Sequence, residues 1–142
     1  MSIKPVYVAH ATATGGRDGR ARTEDGSIDL KLAPPVELGG DGKGNNPEQL
    51  FAAGYAACYI GAMKFAQSQD ASLPAVPEET SVTAQVGIGP REDQGFGLQV
   101  ILNVSLPGVS ADDAARLTQV GHGICPYSHA TQGNIDVVTN VV

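Results

Sequence analysis

The chain has 142 residues, the size of one domain, and a domain of that size buries roughly two-thirds of its unfolded surface. Charged residues make up only 17% and the net charge is −6. Without a basic tract, that balance argues against nucleic acid or an anionic membrane as a partner. Two cysteines are too few for a secreted disulfide scaffold, and the shortage of charge hints at surface buried against a partner.

The N-terminal run MSIKPVYVAHATATGG has no long apolar stretch leading to a cleavage site. No apolar run reaches the roughly 18 residues of a membrane span. The expected location is cytoplasmic. In that reducing compartment a cysteine is inert, catalytic or metal-binding more often than a permanent staple.

Val6 and Val8 alternate with Tyr7 and Ala9, which predicts a first strand. The turn residues Gly15, Gly16, Arg17, Asp18 and Gly19 follow. Ile28, Leu30 and Leu32 alternate with Ser27, Asp29 and Lys31 as a second strand, which Pro34 and Pro35 stop. A glycine-rich loop over 39–44 leads to a helix start, with Asn46 as cap, Pro47 in the first position and Gln49 completing a capping box. From Leu50 to Met63 there are fourteen residues without a charge or an amide, the pattern of a helix buried on all sides. Ala53, Ala57 and Gly61 form a small-residue stripe that lets another backbone come close, either the chain's own sheet or a second copy.

Pro74 and Pro77 mark a connector. Val82, Ala84, Val86 and Ile88 alternate with polar or small residues, as do Phe96, Leu98, Val100, Leu102, Val104 and Leu106, and the polar turn 89–95 between them predicts a hairpin. Ser110 caps a second helix with Asp112 and Asp113 in its first turn, where the helix dipole favours them. Its apolar face is Ala114, Leu117, Val120, Gly121 and Ile124, and Cys125–Pro126 ends it. Residues 134–141 read as a last strand. The pattern is one α+β domain over residues 1–142.

Three readings of Cys58 and Cys125 compete. Both can be small core hydrophobes. They can join His122 and His129 in a metal site, although His122-x2-Cys125-x3-His129 is not a strong zinc spacing. They can also be a redox pair in which one sulfur attacks and the other resolves. That reading needs a thiolate. Cys58 is about the twelfth residue of its helix, beyond the reach of the N-terminal dipole, and burial raises a thiol pKa. A cation must therefore stand beside it, and spacing alone does not choose among the nine basic residues.

The runs ATATGGRDGRA (11–21), NNPEQLFAAGYAACYIGAMKFA (45–66) and CPYSHATQGNIDVV (125–138) resemble the Ohr/OsmC family over nearly the whole chain. The GGRDG run and the second motif favour its Ohr branch, with an OsmC-type peroxidase as the alternative. The resemblance implies an intertwined homodimer with antiparallel β-sheets and a long buried central helix carrying Cys58. It implies a thiol peroxidase that reduces organic hydroperoxides, fatty-acid and alkyl, to alcohols. By motif position Cys58 is then the peroxidatic cysteine, Cys125 the resolving cysteine, Arg17 the activating cation and Glu48 its carboxylate partner. No cofactor or metal is bound, and the reductant is the dihydrolipoyl group of a lipoylated partner protein. Arg20 is the alternative cation. His129 departs from the asparagine typical at that position, away from the four chemical residues. A rival from another class is a hydrophobic-ligand-binding dimer with structural cysteines.

Glu48 stands ten residues before Cys58, about 15 Å along a helix axis and roughly 80° around it. One arginine does not bridge both groups on one unbroken helix. Glu48 is therefore expected to serve the Cys58 of the other subunit, unless the helix breaks between them. Leu50, Phe51, Tyr55, Ile60 and Met63 near Cys58 suit an alkyl or acyl hydroperoxide better than H2O2.

Overall fold

The structure, a computed structural model, describes residues 2–142 and contains two compact units, one ending at Pro47 and one beginning at Glu48. The N-terminal unit holds a three-stranded antiparallel sheet of β1 (Ala11–Thr14), β2 (Arg20–Thr23) and β3 (Asp29–Lys31) in that order. The β1–β2 reversal needs glycine. Gly15 and Gly16 adopt φ of 71° and 62°, and a side chain on Gly19 would collide with the Thr14 carbonyl. This reversal is the 3-10 turn Gly16–Asp18, so the glycines that shape it also fix where Arg17 leaves the backbone.

One expectation for this unit is corrected, and one strand was not foreseen. The strand predicted at 6–9 is not formed: those residues join no ladder within the chain, and Val6, Tyr7 and Val8 lie exposed. Alternation supplies a face to bury, but a strand also needs a neighbour for its N–H and C=O groups. Conversely, β2 has the sequence RART, which lacks an apolar alternation, and forms because β1 and β3 both pair with it.

The second unit runs α1 (Pro47–Gln69), β4 (Ser81–Pro90), β5 (Phe96–Ser105), α2 (Ala111–Ile124), α3 (Pro126–Thr131) and β6 (Val137–Val141). The predicted hairpin is present, β4 and β5 pairing antiparallel from Ser81 opposite Ser105 to Pro90 opposite Phe96. The expected antiparallel sheet is present in the N-terminal unit and in the hairpin, and the second sheet is mixed, because β6 pairs parallel with β5, Val100 opposite Val137. The helical connection through α2 and α3 returns the chain in the same direction, as a parallel neighbour requires.

One face of this mixed sheet, with Val100, Leu102 and Val104, is buried with Tyr55, Tyr59, Ala62, Met63 and Ala66 of α1 and Ala114 and Leu117 of α2. The buried positions of α1 recur at the spacing of one helical stripe. Within one chain the rest of α1 is open: Leu50, Ala53, Ala57, Gly61, Lys64 and Phe65 are exposed. The second helix follows its reading, with Ser110 Oγ accepting from the Asp113 backbone N–H at 3.2 Å. No helix among the described residues is long and apolar enough to cross a membrane.

Gly121 lets α2 approach α1 closely. A Cβ there would come within 2.9 Å of Met63 Cγ and 3.3 Å of the Tyr59 ring. Gly121→Val is expected to cost about 1–3 kcal/mol through overpacking, read as a lowered urea midpoint. An unchanged midpoint would mean that the two helices can separate there without penalty.

Candidate active site

Cys58 lies in the middle of α1, half-buried, and Cys125 lies fully buried between α2 and α3. Both are free thiols, with Cys125 Sγ–H directed at Cys58 Sγ across 3.6 Å. Their meeting follows from how α2 ends. The Cys125 N–H donates to the Gly121 carbonyl at 2.9 Å and closes α2, while the Cys125 carbonyl accepts from the His129 N–H at 2.9 Å and opens α3. Between these bonds Cys125 is extended, with φ −62° and ψ 120°, and Pro126 takes the first position of α3, where its missing N–H costs nothing. The short helix α3 was not foreseen. The proline after Cys125 signalled the end of one helix and also the start of the next.

Three aromatic rings gather on the same part of α1. Tyr127 stacks on Tyr55 with centroids 5.6 Å apart, and Phe51 meets both rings edge-on at 5.6 and 6.0 Å. Gly54 makes this possible, since a Cβ there would stand 2.8 Å from the Tyr127 hydroxyl. Beside the cluster runs a polar chain. Tyr55 Oη and Ser128 Oγ are 2.9 Å apart, Ser128 Oγ and His122 Nδ1 2.9 Å, and His122 Nε2 and Thr139 Oγ1 2.7 Å. It ties α1, α3, α2 and β6 together and borders a cavity of about 410 Å³.

Burial pushes the Cys58 thiol above its ordinary pKa, the neighbouring Cys125 sulfur adds to that rise, and the Tyr127 backbone N–H pulls the other way. That N–H belongs to the first turn of α3, so the element that follows Cys125 also supplies a donor to Cys58. Burial lowers the pKa of His122, which keeps its ring neutral. A neutral ring donates at one nitrogen and accepts at the other, which matches its two hydroxyl partners. With both nitrogens so engaged, His122 is not set up as a metal ligand, and no cluster of metal-ligating side chains forms among the described residues.

Of the four predicted site residues, Cys58 and Cys125 stand in contact within the second unit. Glu48 sits half-buried in the first turn of α1. That helix is continuous through Cys58, so the alternative of a break between them is overturned. Arg17 is carried by the 3-10 turn of the N-terminal unit. Arg20, the alternative cation, holds Asp29 through two bonds of 2.6 Å, Nε to Oδ1 and Nη2 to Oδ2. The sequence reading singled out His122 beside Cys125, but as a metal ligand, and it missed Tyr127 and Ser128 as parts of this constellation. The signal for Tyr127 was its place at the start of a proline-initiated helix. The hydroxyl partners of His122 left no local signal, because they lie on separate elements.

The family model for OsmC-like proteins matches residues 40–140. The organic hydroperoxide resistance protein of Xanthomonas axonopodis pv. citri is 53% identical over 135 residues, covering 94% of this chain and 93% of its own length. The organic hydroperoxide resistance protein OhrA of Bacillus subtilis is 43% identical over 141 residues, 97% of each chain. Among solved structures, an organic hydroperoxide resistance protein from Elizabethkingia anophelis, crystallised with thiocyanate bound, is similar with a TM-score of 0.89 at 44% identity, covering 98% of each chain.

Protonating His122 places a charge in a half-buried site where burial disfavours it. Because its folded pKa is lowered, the unfolded chain binds the proton more readily. Stability is therefore lost as the pH falls below the unfolded value, and the loss levels off below the folded one. Urea midpoints compared at about pH 7.5 and about pH 5.5 should fall further in the native protein than in His122→Gln. Equal falls would show that this ring does not report on the fold.

Proposed function

Because the chain belongs to the OsmC/Ohr family, we propose that it is a cysteine-based peroxidase that reduces organic hydroperoxides to alcohols. The observation that carries the proposal is the pair of free sulfurs 3.6 Å apart, one half-buried and one fully buried. A peroxide must reach the attacking sulfur, which selects Cys58. The resolving sulfur needs only to reach Cys58, which suits Cys125.

The Cys58 thiolate attacks the distal oxygen of R–O–OH. The O–O bond breaks, RO⁻ leaves and takes up a proton as the alcohol, and Cys58 becomes a sulfenic acid. Cys125 then attacks that sulfur, hydroxide leaves and is protonated to water, and a Cys58–Cys125 disulfide forms. The bond requires about 2.05 Å, so the sulfurs close by about 1.5 Å, a small movement at the hinge where α2 gives way to α3. A dihydrolipoyl dithiol on a partner protein reopens the disulfide by exchange and leaves as its own cyclic disulfide, so two electrons are carried in each cycle.

The first step needs the thiolate, and burial opposes it. The Tyr127 N–H is one compensating group. Arg17 supplies the charge in this reading, and Glu48 orients its guanidinium. Continuity of α1 from Glu48 through Cys58 supports Glu48 acting on the Cys58 of a second subunit. An intertwined homodimer also accounts for the exposed apolar residues of α1 and for residues 6–8. The rings of Phe51, Tyr55 and Tyr127 give the site an apolar character that favours organic hydroperoxides over H2O2.

One equivalent of cumene hydroperoxide is expected to remove two hydrogens from the intact protein and leave a peptide pair joined through Cys58 and Cys125 on mass spectrometry. Dihydrolipoamide-supported peroxide consumption should be abolished in Cys58→Ser. A stable sulfenic acid with no crosslink would exclude Cys125 as the resolving group, and full activity of Cys58→Ser would end the proposal. The placement of Glu48 is tested separately by mixing Glu48→Ala chains with Cys58→Ser chains. Across-subunit action restores one working site of the two in each heterodimer. Action within one chain restores none.

A further inference from the structure

A second groove opens beside the same pair of helices, α1 and α3. It has a volume of about 650 Å³ and lies between the start of α1, the end of α3 and the β4–β5 hairpin. Phe51, Phe96, Leu98 and Ile135 make its apolar walls, with Arg91 and Asp93 at the hairpin end. Both helices that border it also reach Cys58. Phe51 precedes Cys58 by seven residues on α1, roughly 10 Å along the same face. The first turn of α3 gives the Tyr127 N–H to Cys58, and its last residues, Ala130 and Thr131, line the groove. The size is that of a small-molecule site.

Arg91 is held at the hairpin side of the groove. Its Nε donates to Asp93 Oδ1 at 2.7 Å and its Nη2 to Oδ2 at 3.1 Å. Its stem crosses Gly97, where an added Cβ would meet Arg91 Cγ at 3.1 Å and Cδ at 3.2 Å. The missing side chain at 97 thus gives the arginine its path across the hairpin. Asp93 is a surface carboxylate whose pair with Arg91 is solvent-exposed, and such pairs contribute little free energy. A ligand carboxylate offers the same two oxygens in the same fork geometry.

Resting on the peroxidase reading, we propose that this groove is the chain-binding subsite and that Arg91 recognises the free carboxylate of a hydroperoxide carried on a long acyl chain. The apolar walls take the hydrocarbon, the hydroperoxy group lies at Cys58, and the acid end replaces Asp93 on the guanidinium. Arg91 is thereby a specificity residue, remote from the reacting atoms.

The test compares kcat/KM for a linoleic acid hydroperoxide with that for its methyl ester, with cumene hydroperoxide in the same preparation as the reference for turnover. The native protein should favour the acid. Arg91→Gln should bring the acid-to-ester ratio down by about two- to fivefold, the size of one solvent-exposed ion pair, with the change in KM. Asp93→Asn removes the competing carboxylate and should raise the ratio. A native ratio near one, or a ratio unmoved by both substitutions, overturns the subsite. Absence of cumene hydroperoxide turnover in the native protein would instead overturn the peroxidase reading on which it rests.

Discussion

The contact between Cys58 and Cys125 depends on one backbone event, the change of direction at Cys125 between α2 and α3. The residue closes one helix with its N–H and opens the next with its carbonyl, so neither of its backbone groups is wasted in a buried place. Its extended conformation turns the chain at that point, and its side chain faces the middle of α1. The same turn sets the Tyr127 N–H at Cys58 and lays the Tyr127 ring on Tyr55. A continuous helix through residue 125 would deny Cys58 both the second sulfur and the N–H donor. Gly54 and Gly121 are required for the same reason, since each removes the side chain that would hold α1 away from these partners.

That geometry sets a conflict in the chemistry. Desolvation favours the neutral thiol, whereas peroxide reduction uses the thiolate. The resolution is electrostatic, because a fixed charge or dipole acts most strongly where water is excluded. The N–H from α3 is a partial answer. A nearby guanidinium would be a fuller one, which is why the glycine-shaped turn bearing Arg17 matters to the reading. The polar chain around His122 does not compete for this role. Its ring is held neutral by burial and its nitrogens are matched to hydroxyls, so it joins four elements without adding charge near the sulfurs.

Local sequence carried much of this arrangement. The uncharged run from Leu50 to Met63 announced α1, Ser110 announced α2, and the alternation in 82–88 and 96–106 announced the hairpin. Both cysteines were legible as candidates, but their separation of 67 positions carried no distance. The parallel partner of β5 was not legible either, because alternation in residues 134–141 defines a face and not a direction. The missed α3 is a case of one signal with two meanings, since Pro126 both stops a helix and suits the first residue of another. Pairings such as Tyr55 with Ser128 and His122 with Thr139 depend on tertiary register and leave no local trace.

The most instructive departure concerns α1. Its composition asks for burial all round, yet within one chain only the stripe through Tyr55, Tyr59, Ala62, Met63 and Ala66 is covered. Leu50 and Phe65 are 38% and 56% exposed, and between them the small residues Ala53, Ala57 and Gly61 leave the backbone open to close approach. At the other end of the chain, Tyr7 is 80% exposed in a segment whose alternation suits a strand that nothing in the chain completes. Exposed apolar residues scattered singly need no explanation, but a helix face whose one charge is Lys64 near its end and a patterned segment without a ladder both ask for a partner. A second copy of the chain answers both demands with surfaces already present. In the proposed dimer the composition of α1 is then explained on both faces: one holds Cys58 to Cys125 within a subunit, and the other is the face on which two subunits meet.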